Sequence, residues 1–173
     1  LTDGYLANGS EPWQVPEASS LPEFAPHRAE NAEGFLPYQR DPKTLSRPWM
    51  TPGMAGFEHR VGGIEKEHLT GGVSYDPANH EFMCRLRTEK IQKIQQDIPP
   101  TEVIGADSGD LLILGWGSTY GAIRSAVRTL EGQGKSVSMA HIRHIHPLPA
   151  DLFDVMRNYK QVLLPEMNLG QLS

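Results

Sequence analysis

The sequence predicts an α/β protein: a mainly parallel sheet in a three-layer α/β/α arrangement, preceded by a long irregular Pro/Gly-rich arm. Three observations carry this. Asp110 to Gly134 runs as an apolar block, Leu111 to Leu114, a glycine turn, and then Ile123, Ala126, Val127 and Leu130 at i, i+3, i+4 and i+7. A second apolar stretch, Ser136 to Ile142, follows at once and completes a β-α-β crossover. Eight of the fourteen prolines fall between Pro12 and Pro52, where neither a helix nor a central strand can pass.

Composition narrows the function classes. The formal charge of −5 leaves no basic footprint for nucleic acid. No stretch reaches the roughly 18–20 consecutive apolar residues of a membrane helix, and Leu1-Thr-Asp-Gly-Tyr does not open a signal peptide. The one cysteine, Cys84, excludes an internal disulfide and favours a reducing compartment, so a cytoplasmic location is expected. Cys84 itself reads as a helix-packing thiol rather than a nucleophile.

Leu1 to Ser10 is turn-rich, with Asp3-Gly4 and Asn8-Gly9, and reads as the end of a preceding domain (residues 1–10). An extended arm is expected over residues 11–75. Trp13, Phe24, Phe35, Tyr38 and Trp49 supply too much aromatic surface for a solvated tether. Burying each ring is worth about 1.5–3 kcal/mol, so the arm is expected to dock on a surface, that of another domain or subunit. From Gly53 to Gly72, turns at Gly62-Gly63 and Gly71-Gly72 suggest short strands near Phe57 to Ile64 and around Val73-Ser74-Tyr75. The mixed charges Glu58-His59-Arg60 and Glu65-Lys66-Glu67-His68 read as solvated surface rather than as a metal site built on His59 and Glu65.

The α/β domain is expected over residues 76–173. Its first helix starts at Asp76-Pro77, aspartate as N-cap and proline at the first helical position, and runs to Ile94. Met83, Leu86 and Ile94 mark its buried side, flanked by Phe82 and Ile91. Arg85, Arg87, Lys90 and Lys93 are interrupted by Glu81 and Glu89, which reads as a solvated face rather than a phosphate site. Pro99-Pro100 stop the helix, and Thr101 to Gly105 links it to the first strand. Ser118 or Thr119 can cap the crossover helix, and Gly132 or Gly134 can end it. Pro149 opens a further helix from about Ala150 to Asn158, and Lys160 to Leu164 is the third strand, all three strands parallel. Ending soon after that strand, the chain reads as a fragment of a longer polypeptide. The uncovered strand face and sheet edge predict self-association or cover by the arm.

Chemistry is sparse. Gly115, Gly117 and Gly121 are spaced G-x-G-x-x-x-G, one longer than the dinucleotide fingerprint, and no acid ends the second strand at His141-Ile-Arg143. The glycines therefore read as a tight turn with close helix–sheet packing. His144 and His146 share one face of an extended segment and His141 takes the other, so the three do not converge as zinc ligands. No triad, paired-carboxylate or phosphate-loop pattern is present. No catalytic, cofactor-binding or metal-binding residue is assigned.

Several motifs together carry a resemblance. Leu1-Thr-Asp-Gly-Tyr-Leu-Ala-Asn-Gly-Ser-Glu-Pro-Trp13, Pro37-Tyr-Gln-Arg-Asp41, Arg47-Pro-Trp49, Glu58-His-Arg-Val-Gly-Gly-Ile-Glu65, Leu114-Gly-Trp-Gly-Ser-Thr-Tyr-Gly121 and Pro165-Glu-Met-Asn-Leu-Gly-Gln171 resemble, in order, the α subunit of 2-oxoacid:ferredoxin oxidoreductases, especially the 2-oxoglutarate type. The resemblance implies the end of a pyrimidine-binding domain, a connecting arm, and a domain similar to the transketolase C-terminal domain, truncated at its C-terminus. It implies a whole enzyme that uses thiamine diphosphate with Mg, coenzyme A and an iron–sulfur cluster to convert 2-oxoglutarate to succinyl-CoA and reduce ferredoxin. The β subunit would supply the diphosphate-binding domain and the cluster. A lone cysteine cannot hold a four-cysteine cluster, so no cofactor is expected within this chain, whose role would be structural, in assembly and active-site closure. The alternative is a stand-alone α/β module that binds a nucleotide or coenzyme A at the glycine turn.

Overall fold

The computed structural model describes residues 8–10, 12 and 14–173. The expected turn at Asp3-Gly4 and Trp13 therefore lie outside the described residues. The chain divides into two compact units, one of them Gln14–Lys93 and the other containing Ile94–Ser173.

The second unit holds the sheet: β1 (Val103–Ile104), β2 (Gly109–Trp116), β3 (Val137–Ile142) and β4 (Tyr159–Leu163), in the order β1-β3-β2-β4. The three expected strands are all parallel, with Leu112 opposite Ser138 of β3 and Val162 of β4. The fourth was missed. Thr101 to Gly105 was expected only as a link, yet Val103-Ile104 pairs antiparallel with Ala140 and Met139 at the sheet edge. Two residues are too short a run to show a period.

The crossover helix, Tyr120–Gly132, packs Ile123 and Val127 on Ile113, Val137 and Met139. The helix after Pro149 is shorter than expected, Leu152–Arg157, and packs Leu152 with Leu112, Leu114, Ala140, Ile142 and Tyr159. Because side chains alternate along a strand, the two clusters lie on opposite faces of β2. The sheet is thus mixed, mostly parallel, and flanked by helices. Ala126, expected in the buried stripe, is exposed.

The ends of the crossover helix are decided by specific bonds. Thr119 does not cap the first turn through its side chain: its hydroxyl turns back, accepting from Trp116 N at 3.2 Å and donating to Trp116 O at 2.8 Å. At the other end Gly134 takes the left-handed conformation, φ 74°. Gly134 N bonds Glu131 O at 2.9 Å and Lys135 N bonds Leu130 O at 3.0 Å, the Schellman pattern. Gly117 is also left-handed, φ 59°. Gly117→Ala should therefore cost about 1–2 kcal/mol by forcing a Cβ into that region. The expected signature is a lower urea midpoint at an unchanged slope.

β4 forms the outer edge beside β2. Tyr159 is buried and its hydroxyl reaches Ala106 O at 2.5 Å, but Val162 and Leu163 are 38% and 50% exposed. Near the start of the unit, Thr101 donates its N–H and hydroxyl to the Asp151 carboxylate at 2.9–3.0 Å, tying the entry to β1 to the start of the last helix.

In the first unit, the Pro-rich segment folds on itself through scattered single contacts. Arg28 bridges Trp49 in parallel, with Ala29 N on Trp49 O at 3.0 Å. Phe35 packs edge-on against Phe57 at 4.9 Å, and Tyr38, Leu45 and Phe57 are buried, whereas Phe24 and Trp49 stay largely exposed. The hairpin here pairs Glu65–Glu67 with Gly72–Ser74, bridging Lys66 and Val73, rather than using Phe57 to Ile64.

The first long helix, Pro77–Lys93, belongs to this unit. Its start is as expected: Ala78 N donates to Asp76 Oδ1 at 3.0 Å. Met83 is fully buried and Leu86 half-buried, but Ile94 is exposed and lies just past the helix. Asn79 fixes the hairpin to the helix, donating to Lys66 O and accepting from His68 N, both at 2.9 Å.

Candidate functional site

In open parallel sheets, ligands gather where the carboxyl ends of neighbouring strands diverge. Here that place is the end of β2, between β3 and β4. The geometry there is closed by packing. A Cβ at Gly115 would lie 2.4 Å from Ile123 Cδ1, 3.0 Å from Thr119 Oγ1 and 3.4 Å from His141 Nδ1. Gly115 thus lets the crossover helix press on the strand, the role expected for the glycine turn. On the other side Trp116 Nε1 donates to Glu166 Oε1 at 3.2 Å, and the same carboxylate accepts from Leu172 N at 3.0 Å and Ser173 N at 3.1 Å.

His141 is the one unusual group at this end. It stacks edge-on against Tyr120 at 5.1 Å, and its buried Nδ1 has no partner among the described residues. Burial, and then the charge of Arg143, push its pKa down, which keeps the imidazole neutral. Among the described residues neither a nucleophile nor a second titratable side chain is hydrogen-bonded to it. The sequence pairing of His144 with His146 does not make a site either: both are exposed, beyond the end of β3. Among the described residues, no three of His, Cys, Asp and Glu group to hold a metal.

The densest polar cluster lies instead where the hairpin meets the first helix. Glu65, expected on a solvated loop, has a side chain only 20% exposed. Its Oε2 bonds His80 Nδ1 at 2.7 Å, and its two oxygens take Arg87 at 3.3 and 3.4 Å. One turn along the helix, Cys84 Sγ lies 3.6 Å from His80 Nε2 and 3.2 Å from Arg87 NH2. Cys84, read as a helix-packing thiol, thus has two polar neighbours on its own helix. His59 is not part of this cluster; its Nδ1 sits 2.8 Å from Phe57 O. Lys66, in a run read as solvated, is buried, with Nζ on Gly62 O at 2.8 Å and Ile64 O at 2.5 Å.

Hydrogen bonds from Arg87 and then His80 lower the Glu65 carboxyl from 4.5 to about 2. A pKa lowered on folding means that this stabilisation is present above pH 4.5 and is lost as the pH falls toward 2. Glu65→Gln should therefore flatten the acid limb of a stability-versus-pH curve in that window. An acid limb identical to that of the wild-type protein would show that the ion pair adds nothing to folding.

The missed groups had little sequence signal. Glu65, His80 and Arg87 are brought together by a hairpin whose register depends on Gly71 and Gly72, not on any spacing along the chain. Trp116 and Glu166 come from two motifs read separately.

No family model matches the chain. It is 45% identical over its whole length to the 2-oxoglutarate oxidoreductase subunit KorA of Mycobacterium tuberculosis. Close homology to the KorA α subunit thus extends over the whole chain. It is also 25% identical, over 95% of its length, to the 2-oxoglutarate synthase subunit KorA of Methanocaldococcus jannaschii. Among solved structures, the 2-oxoglutarate:ferredoxin oxidoreductase of Magnetococcus marinus, with 2-oxoglutarate, coenzyme A and succinyl-CoA bound, superposes on 91% of the chain with a TM-score of 0.78 and 30% identity. The chain spans 26% of the M. tuberculosis KorA, 48% of the M. jannaschii KorA and 28% of the M. marinus chain. The fold is consistent with the transketolase C-terminal-like domain that the sequence motifs implied.

Proposed function

We propose that this chain is a structural and assembly portion of the α subunit of a thiamine-diphosphate-dependent 2-oxoglutarate:ferredoxin oxidoreductase. The whole enzyme would oxidatively decarboxylate 2-oxoglutarate to succinyl-CoA and pass electrons to ferredoxin. The carrying observation is the 45% identity to a KorA subunit across the entire chain. The similarity to a solved enzyme with 2-oxoglutarate and coenzyme A bound supports the same substrate class.

The iron–sulfur cluster would be held elsewhere in the enzyme. An iron–sulfur cluster held by four cysteines cannot form on Cys84 alone, and no three metal-ligating residues group among those described. The carboxyl end of the sheet is filled by packing and presents no acid–base pair. A stand-alone nucleotide site at the glycine turn is disfavoured by the same Gly115–Ile123 contact. The chain would then act through its surfaces, against a β subunit and the remainder of its own subunit. The open β4 edge, with Val162 and Leu163 exposed, supports self-association when the chain is alone.

Co-purification tests this reading. The full subunit that contains this sequence should carry down a second subunit with an iron–sulfur absorbance, and the chain by itself should show no such chromophore. A full subunit that stays free of any second subunit would refute it.

A further inference from the structure

A cavity of about 430 Å³ in the Gln14–Lys93 unit is lined by Tyr38, Arg40, Arg47, Glu65, Lys66 and Arg87. Four of those side chains are cationic and one is a carboxylate. That carboxylate, Glu65, is already shared between Arg87 and His80. Arg40 and Arg47 are both half-buried, and among the described residues neither guanidinium, nor the ammonium of buried Lys66, forms an ion pair; the Lys66 ammonium is held by Gly62 O and Ile64 O. Two exposed arginines elsewhere are paired, Arg85 with Glu81 and Arg157 with Asp154, whereas Arg28, Arg60, Arg128 and Arg143, without an ion pair among the described residues, are exposed to water. Withdrawing guanidinium groups from water without a counter-ion is costly.

The two guanidinium groups are held in place rather than left mobile. Arg47 stacks on the Tyr38 ring, its guanidinium carbon 3.9 Å from the centroid, and gives Nε to Pro37 O at 2.9 Å. Arg40 lies 5.8 Å from the same ring centroid and gives one N–H to Tyr38 O at 3.0 Å. Each keeps further donors in a planar fork, the geometry that matches an oxyanion. Burial, then the charge of Arg47 and, less strongly, that of Arg87, pull Arg40 below its ordinary pKa. Four cations against one carboxylate leave the lining net positive.

We propose that Arg40, Arg47 and Arg87 line a binding site for a phosphate-type oxyanion. Three cations without an acidic partner, Arg40, Arg47 and Lys66, favour a dianionic phosphate over a single carboxylate. The phosphate is either free or the ester group of a larger ligand, and the chemistry at the arginines is shared. The site does not depend on the oxidoreductase reading; a protein without that activity would still be expected to bind phosphate here.

Calorimetric titration of the purified protein with inorganic phosphate, and separately with glycerol 3-phosphate, at constant ionic strength in chloride, tests the proposal. The wild-type protein should show saturable binding. Arg40→Gln and Arg47→Gln should each weaken it by about tenfold or more, while Arg85→Gln, outside the cavity, leaves it unchanged. Arg47→Lys keeps the charge but not the fork and should fall between. Equal affinity for both probes assigns the site to free phosphate, and tighter binding of glycerol 3-phosphate assigns it to a phosphate ester. Should a glutamine variant fail to fold, a phosphate-dependent rise in the melting temperature of the wild-type protein, reduced in Arg47→Lys, supports the site by linkage. No saturable binding of either probe by the wild-type protein, or undiminished binding by the folded arginine variants, would overturn it.

Discussion

Replacing Leu112 by alanine should lower stability by about 2–5 kcal/mol, the range for a fully buried leucine whose cavity cannot collapse. Leu112 has no exposed surface and stands mid-strand in β2, with β3 on one side and β4 on the other. It packs among Leu114, Ala140, Ile142, Leu152 and Tyr159, so its loss opens the face that the last helix covers. Such a loss is a large share of the 5–15 kcal/mol typical of a domain. Val162, its neighbour on β4, is 38% exposed, and Val162→Ala should cost well under half as much. Comparable losses at the two positions, by urea unfolding, would mean that β2 is not the centre of the core.

Gly115→Ala is expected to cost about 1–3 kcal/mol through overpacking, because the added Cβ would sit 2.4 Å from Ile123 Cδ1. Ile123→Val removes that methyl. In a double-mutant cycle the pair should be less damaging than the sum of the single changes, with a coupling of about 0.5–3 kcal/mol. Gly121 is a built-in control, since a Cβ there meets nothing within 4 Å. As Gly121 lies in the helix, alanine should be neutral or stabilising by a few tenths to about 1 kcal/mol. If Gly115→Ala proves as mild as Gly121→Ala, the glycine turn does not exist for packing and a ligand role returns.

The crossover was legible because two periods stand side by side in Asp110 to Ile142: an unbroken apolar run for a strand buried on both faces, then a 3.6-residue stripe. Asp76-Pro77 was legible for an equally local reason, since an N-cap and a fixed φ act within one turn. β1 was not, because Val103-Ile104 gains its identity only from pairing with Ala140 and Met139. The polar clusters were hidden for the same reason. Glu65 meets Arg87 across 22 residues, and Arg40 and Arg47 meet over one tyrosine ring, contacts set by the irregular path of the Pro-rich segment. In the sequence, Arg40 and Arg47 stood out only as parts of motifs that resemble a family. Among the described residues neither guanidinium forms an ion pair.

The most direct measurement of the central claim is 2-oxoglutarate-dependent reduction of a viologen dye in the presence of coenzyme A. The assembled enzyme, with this chain as part of its α subunit, should reduce the dye, and the 173-residue chain alone should give no reduction above background. Reduction by the chain alone, or an assembled enzyme inert toward 2-oxoglutarate, would contradict the account.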